Sequence, residues 1–405
     1  MLTDITLEEA QDVFREILSP LAPERVSLAQ SLLRYTAFDL AAGGDLPAYS
    51  LAALDGYAVH AGDLGGNCSL LIGKTIGSGK VPASSLKPGN TMLLVTGGRL
   101  PEGAAAVIPQ EDAVIRSNYL FADQAIKQGA NIRFQGEDYK KGEIILQRNT
   151  RLTPGALGVL AAFGEEGVVV SRRPSVAIFC LGPDIVPYYQ TPSGGEIRDS
   201  NGLMLSSLVF IDGGEVGRLE YISGTGGRES IINTIQVLFE RFDMLIAIGG
   251  TAFGESEYQA LPLFREAGAE VFYWGIRIKP GSHSGGGIWQ GKPFIALSGN
   301  PSACVAGYHL LVTPILRRMQ GLSYDLEKVA AISPDKYDKK RNVRRILLGR
   351  LFGEEGIRKV SIIPEQKSSR LKPLVDYNCL VDVPTGDGQL EVNWQAQAIP
   401  LEIQR

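Results

Sequence analysis

Three loops and two acidic turns hold the residues of this sequence that are equipped for chemistry. The first loop is Gly249-Gly250-Thr251-Ala252-Phe253-Gly254, at the end of the apolar run DMLIAIGG. Glycines there let backbone N–H groups point at an anion, and a following helix adds its positive end. The same spacing also serves a tight strand-to-helix turn. The second loop is Ser298-Gly299-Asn300-Pro301-Ser302, again between an apolar run and a helical one. Asn300 suits an N-cap and Pro301 the first helical position, so capping and anion binding both account for it. Between the two lies Arg277-Ile278-Lys279-Pro280-Gly281-Ser282-His283-Ser284. A lysine held by a Pro-Gly turn at a strand end can neutralise a phosphate. The acidic turns, Leu54-Asp55-Gly56-Tyr57 and Gln135-Gly136-Glu137-Asp138-Tyr139, set carboxylates beside glycines. Such carboxylates either bind magnesium, which takes one or two of them plus waters and phosphates, or close Asx-type turns.

The elements around these residues decide where they point. Apolar runs VAIFC (176–180), DMLIAIGG (243–250), EVFYWGI (270–276) and KPFIALSG (292–299) alternate with helical periods near 201–210, 229–242, 256–267 and 302–319. Continuous apolar strands separated by helices predict a doubly wound α/β domain with a buried parallel sheet. Ligands of such sheets sit beyond the carboxyl ends of the strands, at loops 181–200, 249–258, 277–288 and 298–303. At the start of the chain, Thr6 and Glu9 form a capping-box pair before an amphipathic helix that Pro20 stops. From Asp45 to Asp138 short β-like runs alternate with Gly, Pro, Asn and Asp, and the last 80 residues return to β alternation. The expected organisation is therefore multi-domain α/β plus β. It comprises an N-terminal mixed domain (1–45 with 139–173), a small β-rich domain (46–138), the α/β domain (174–322) and a C-terminal β-barrel-like domain (323–405). Arg172-Arg173-Pro174 reads as a linker and a hinge.

Composition excludes several classes. With 44 acidic against 40 basic residues the net charge is −4, so no overall field draws the chain to nucleic acid. Cys68, Cys180, Cys304 and Cys379 are far apart without metal-ligand spacing, and three histidines are too scattered for zinc. The opening MLTDITLEEAQ has no apolar signal core, and no run approaches the roughly 18 apolar residues of a membrane span. A cytoplasmic protein is expected. The first α/β strand is followed by LGPDIVP rather than G-x-G-x-x-G, which argues against a dehydrogenase. No histidine lies near a nucleophile elbow, which argues against a serine triad.

Taken in order along nearly the whole chain, these segments resemble the MoeA/gephyrin E-domain family of molybdopterin molybdenumtransferases. The resemblance is carried by LPAYSLAALDGYAV (46–59), LLVTGGRLPEGAAAVIPQE (93–111), NIRFQGEDYKKGEIIL (131–146), GGTAFGESEY (249–258), IKPG (278–281) and SGNPSA (298–303). It implies an elongated four-domain homodimer with a MogA-like α/β domain, and a MogA-like adenylyltransferase as a partner. It further implies a cleft between the α/β domain of one subunit and the small β domain of the other, holding adenylated molybdopterin, molybdate and Mg2+. The implied reaction is metal insertion into the dithiolene with release of AMP.

The resemblance extends to single residues. It makes Asp55, Asp138, Lys279 and Glu257 the catalytic set, with Asp55, Asp138 and Glu257 on the metal. Thr96, Asp184, Gly249, Gly250, Thr251, Gly254, Ser282, Ser298, Gly299, Asn300, Pro301 and Ser368 fall at substrate-binding positions. Some positions depart from the family pattern. Ala252 replaces a loop serine, Glu257 an aspartate, Ser282 a lysine and Ser298 a proline; Leu181-Gly182-Pro183-Asp184 and 223–228 replace acidic motifs. The changes fall on the α/β half of the site. They leave open a non-catalytic or altered-specificity paralogue that binds a pterin nucleotide or a protein partner, and a dimeric scaffold.

Overall fold

The computed structural model describes residues 1–77, 79–222, 227–251, 258–338, 342–386 and 389–401. By internal contact the chain forms two compact units, one of residues 1–24 with 171–405 and one of residues 25–170.

The larger unit is built on a seven-stranded sheet. Its strand order is Leu2–Ile5, Glu270–Ile276, Gly285–Trp289, Lys292–Leu297, Met244–Ile248, Ser175–Leu181, Glu215–Ile222. Side chains alternate across the sheet. Val176, Ile178 and Cys180 enter one buried core, with Leu205, Leu208 and Val209 of the helix Asn201–Ile211. Ala177, Phe179 and Leu181 enter the core on the other face, with Ile235 and Phe239 of the helix Gly227–Arg241 and Phe264 of the helix Ala260–Glu266. Both faces being covered is why the strands read as unbroken apolar runs.

The expected parallel strands are joined by one antiparallel strand that the sequence did not announce. Gly285–Trp289 runs antiparallel to both neighbours. Its Gly285-Gly286-Gly287 start has no side-chain pattern to betray a strand. The glycines are there because neighbours occupy the space. A Cβ on Gly285 would meet the Trp274 ring at 2.1 Å, and one on Gly287 would meet the Glu270 carbonyl oxygen at 2.0 Å. Gly287→Ala is expected to lower stability by at least about 1–3 kcal/mol, read by urea unfolding, because backbone has to move. A melt equal to that of the parent would show that the strand can shift freely.

Leu2–Ile5 adds a parallel edge strand against Glu270–Ile276. It leads into the helix Leu7–Ile17, whose capping box is formed: Thr6 Oγ1 accepts from the Glu9 N–H at 3.1 Å, and Glu9 Oε2 accepts from the Thr6 N–H at 2.7 Å. Leu7, Ala10 and Phe14 of that helix are buried in the first of the two cores.

The C-terminal strands close into a barrel. Arg344–Glu354 pairs with Ile357–Ile362 on one side and Cys379–Val383 on the other, and Val329–Ser333 and Trp394–Pro400 complete the ring. Closure leaves no open edge among these five strands. Ile346, Leu348, Leu380 and Ile399 share the first core with Leu310, Leu311 and Ile315. Those last three lie in a helical run, Pro301–Gly307 then Thr313–Met319, interrupted by a π-turn at Tyr308–Val312.

The smaller unit carries a six-stranded sheet. Its order is Ala104–Pro109, Gly56–His60, Asn90–Leu94, Cys68–Ile72, Tyr119–Ala122, Val114–Arg116. Three two-stranded pieces and the helix Pro154–Ala162, capped by Thr153, complete it.

Arg172, in the stretch 172–174 read as a linker and hinge, is bound within the larger unit. Its guanidinium grips Asp243 through two hydrogen bonds of 2.9 and 2.7 Å, and Asp243 also accepts from the Ser175 N–H and hydroxyl. Burial pushes the Asp243 carboxyl up, but the Arg172 and Ser175 hydrogen bonds outweigh it and the net shift is downward. A depressed carboxyl contributes stability above its unfolded pKa, and that contribution is lost as pH falls through the folded value. Asp243→Asn is therefore expected to cost about 2–3 kcal/mol at pH 7. The gap to the parent should shrink as pH falls below about 4, the ordinary carboxylate range. Urea unfolding at the two pH values checks it, and a gap independent of pH would remove the ion pair from the account.

Candidate functional site

Strands Ser175–Leu181, Met244–Ile248, Lys292–Leu297 and Glu270–Ile276 all point the same way, so their carboxyl ends share one edge of the sheet. The loops singled out above emerge there.

Gly249 and Gly250 have φ of +87° and +64°, and a Cβ on either would run into backbone: the Leu181 carbonyl oxygen at 2.5 Å, the Tyr258 carbonyl oxygen at 2.1 Å. Glycine is obligatory in this turn for local reasons alone. Thr251 is buried beside it. Gly254 and Glu257, the latter an expected metal ligand, lie outside the described residues, as does Ala252. The second glycine loop lies against the first, since a Cβ on Gly299 would stand 3.6 Å from Gly249 Cα. Asn300 takes the N-cap position and Pro301 opens the helix, yet the Asn300 side chain makes no capping hydrogen bond. That amide instead lines a cavity.

The cavity has a volume of about 290 Å³ and gathers residues from three places. Lys279, Ser282 and His283 come from the loop after Glu270–Ile276, Ser298 and Asn300 from the second glycine loop, and Arg345, Gln366 and Ser368 from the barrel. Among the described residues no aspartate or glutamate lines it. Its geometry follows from one short pairing. Ile278–Lys279 runs parallel to the start of Arg344–Glu354, with Ile278 opposite Arg344 and Lys279 opposite Arg345. Lys279 and Arg345 are therefore strand neighbours that open onto one cavity. Arg344, one residue along, points the other way. It binds Asp382 by two hydrogen bonds of 2.8 and 2.6 Å and Glu8 at 2.7 Å. Those hydrogen bonds push its pKa further up.

The barrel wall of the cavity is fixed as firmly. Gln366 accepts from the Leu348 N–H at 2.7 Å and donates to the Leu348 and Ile363 carbonyls. The Ser302 N–H donates to the Ser368 carbonyl at 3.0 Å, which ties the helix after the glycine loop to the barrel loop. Arg345 and Gln366 were not found from the sequence. The pair Arg344-Arg345 in NVRRILL was a visible signal, but only the long-range pairing shows which arginine faces the cavity.

The remaining site residues are placed separately. Asp184 is exposed, and its backbone carbonyl accepts from the Ile197 N–H at 2.7 Å. In the smaller unit, Asp55 Oδ1 accepts from the Thr96 N–H at 2.6 Å and the Thr96 hydroxyl at 2.8 Å. These two bonds hold the Asp55 carboxyl below the usual carboxylate range. They also make its contact a long-range clamp rather than the Asx turn considered above. Asp138 pairs with Arg133 at 2.6 Å. Among the described residues no three His, Cys, Asp or Glu side chains lie close enough together to hold a metal ion.

A doubly wound sheet with two abutting glycine loops, and at its carboxyl edge a cavity that Lys279 and Arg345 line with no acid among the described residues, has the chemistry to suit an anionic small molecule. Comparison with known proteins narrows that class. Residues 5–164 match the MoeA N-terminal region (domain I and II), residues 177–318 a probable molybdopterin binding domain, and residues 330–401 the MoeA C-terminal region (domain IV). The chain is 30% identical to a molybdopterin molybdenumtransferase of Staphylococcus epidermidis over 302 residues, covering 73% of this chain and 71% of that one. It is 29% identical to one of Staphylococcus aureus over 371 residues, covering 89% and 87%. A solved molybdopterin biosynthesis MoeA protein of Pyrococcus horikoshii superposes with a TM-score of 0.83 at 27% identity, over 98% of this chain and 99% of that one. The chain belongs to the MoeA family of molybdenum cofactor biosynthesis. Among the described residues no helix is long and apolar enough to cross a membrane.

Proposed function

We propose that this protein is a molybdopterin molybdenumtransferase that inserts molybdate into adenylated molybdopterin and releases AMP. The observation that carries the reading is the Lys279–Arg345 pair on a cavity that no carboxylate lines among the described residues. Molybdate is a small tetrahedral dianion. Two cations of different geometry, the arginine a planar fork and the lysine a point charge, suit it. Ser368, Ser282, Ser298 and Asn300 add neutral groups around the same space. The loss of the family's second lysine at Ser282 leaves Arg345 as the second charge.

The pterin nucleotide is assigned to the neighbouring loops Gly249-Gly250-Thr251, Gly254 and Gly299-Asn300-Pro301, with Asp184 and Thr96 as further contacts. Asp55, Asp138, Glu257 and Lys279 complete the catalytic assignment. Magnesium keeps most of its waters and needs few protein oxygens. Asp55 suits it: one oxygen is held by Thr96, and the other has no hydrogen-bond partner among the described residues. When bound, the ion would neutralise the phosphates of the nucleotide. We further propose the division into four domains given above, a cytoplasmic homodimer, and delivery of the nucleotide by a MogA-like adenylyltransferase. Isothermal titration with adenylated molybdopterin, with and without magnesium, tests the ligand assignment. Magnesium-dependent binding is expected, and failure to bind under either condition would refute it.

A further inference from the structure

Beside the two glycine loops lies a buried side-chain carbonyl with no hydrogen-bond partner among the described residues. Asn201 opens the helix Asn201–Ile211 at the carboxyl edge of the sheet and is only 7% exposed. Its Nδ2 donates to the Gly299 carbonyl at 2.7 Å, which fixes the amide against the seam where Gly299 meets Gly249. Its Oδ1 is buried and accepts no hydrogen bond among the described residues. Leaving such an oxygen unpaired costs about 1–3 kcal/mol. Two donors of the same region are committed elsewhere. Asp199 takes the Gly202 N–H at 2.8 Å and the Tyr221 hydroxyl at 3.1 Å.

We propose that Asn201 Oδ1 accepts an N–H from the ligand's heterocycle, reading an exocyclic ring amine at the floor of the glycine loops. An amide carbonyl in that place welcomes an amino group and repels the oxygen of an oxo-substituted ring, so Asn201 sets specificity rather than taking part in chemistry. The inference rests on the adenylated molybdopterin reading, whose pterin and adenine rings each carry such an amine.

Two pairs of probes separate the rings: pterin against lumazine, and AMP against IMP, each differing by an amino group replaced with an oxo group. Isothermal titration or competition with wild-type protein is expected to show about tenfold or greater preference for the amino member of one pair. That pair names the ring. Asn201→Ala should bring the preference to within about twofold, with circular dichroism reporting that the fold is kept. If that variant does not fold, Asn201→Asp, the same shape with an acceptor oxygen in place, should retain the preference. No preference in either pair, a preference that survives Asn201→Ala, or one lost in Asn201→Asp overturns the inference. Binding of adenylated molybdopterin without any amine preference overturns it alone. Failure to bind adenylated molybdopterin and all four probes overturns the underlying reading with it.

Discussion

Arg345→Gln is expected to abolish measurable molybdate binding while leaving the protein folded. Arg345 supplies one of the two positive charges that we assign to the oxyanion, on a cavity that no aspartate or glutamate lines among the described residues. Hydrogen bonds to charged groups are worth about 1.5–3 kcal/mol each, and a bidentate guanidinium contact counts twice. The loss should therefore exceed roughly a hundredfold in affinity. Lys279→Gln should cost less, about tenfold or more, because one point charge is removed. Titration with molybdate reads the affinity, and a urea melt within about 0.5 kcal/mol of the parent reads the fold. Unchanged binding in Arg345→Gln would move the oxyanion elsewhere.

Arg344→Ala, one residue away, is expected to do the reverse. Arg344 faces Asp382, which is 8% exposed and also lies 3.5 Å from Lys328. Removing the guanidinium leaves that carboxylate with only the longer Lys328 contact in the wall between the N-terminal helix and the barrel. Breaking one side of a buried pair costs about 3–5 kcal/mol, a large part of the 5–15 kcal/mol that holds an ordinary domain together. The Glu8 side of the same arginine is half exposed, so Glu8→Ala should cost less than about 1 kcal/mol. Chemical unfolding of the two variants measures both. Equal small losses would make the network a surface feature. Two consecutive arginines would thus fail in different ways: one through the ligand, one through the fold.

The contrast marks where sequence reasoning stops. Features set by neighbours in the chain were legible. The Thr6–Glu9 capping box, the apolar strands 176–180 and 243–248 and the glycine-rich turn at 249–250 are each written in residues a few positions apart, whatever distant packing they later meet. Features set by distant contact were not. Gly285–Trp289 is a strand because Trp274, Glu270 and Ile295 surround it, and its glycines hide the alternation that would announce it. Barrel closure needs Arg344–Glu354 to find Cys379–Val383.

The same division runs through the site. Lys279 was visible as a cation in a turn, but its partner Arg345 comes from 66 positions further on, through a two-residue pairing. Asn300 takes the N-cap position that its spacing suggests, but its side chain makes no cap bond and lines the cavity, which only the distant walls define. Asn201 gave no signal, since only the finished packing shows that its carbonyl has been left without a donor.

The measurement closest to the central claim is AMP release from adenylated molybdopterin by the purified wild-type protein, followed with and without molybdate in the presence of magnesium. The account predicts release that depends on molybdate and saturates with it, and that is lost in Arg345→Gln. Binding of the nucleotide with no molybdate-dependent AMP release would contradict it, and would make the protein a carrier or sensor of the pterin nucleotide.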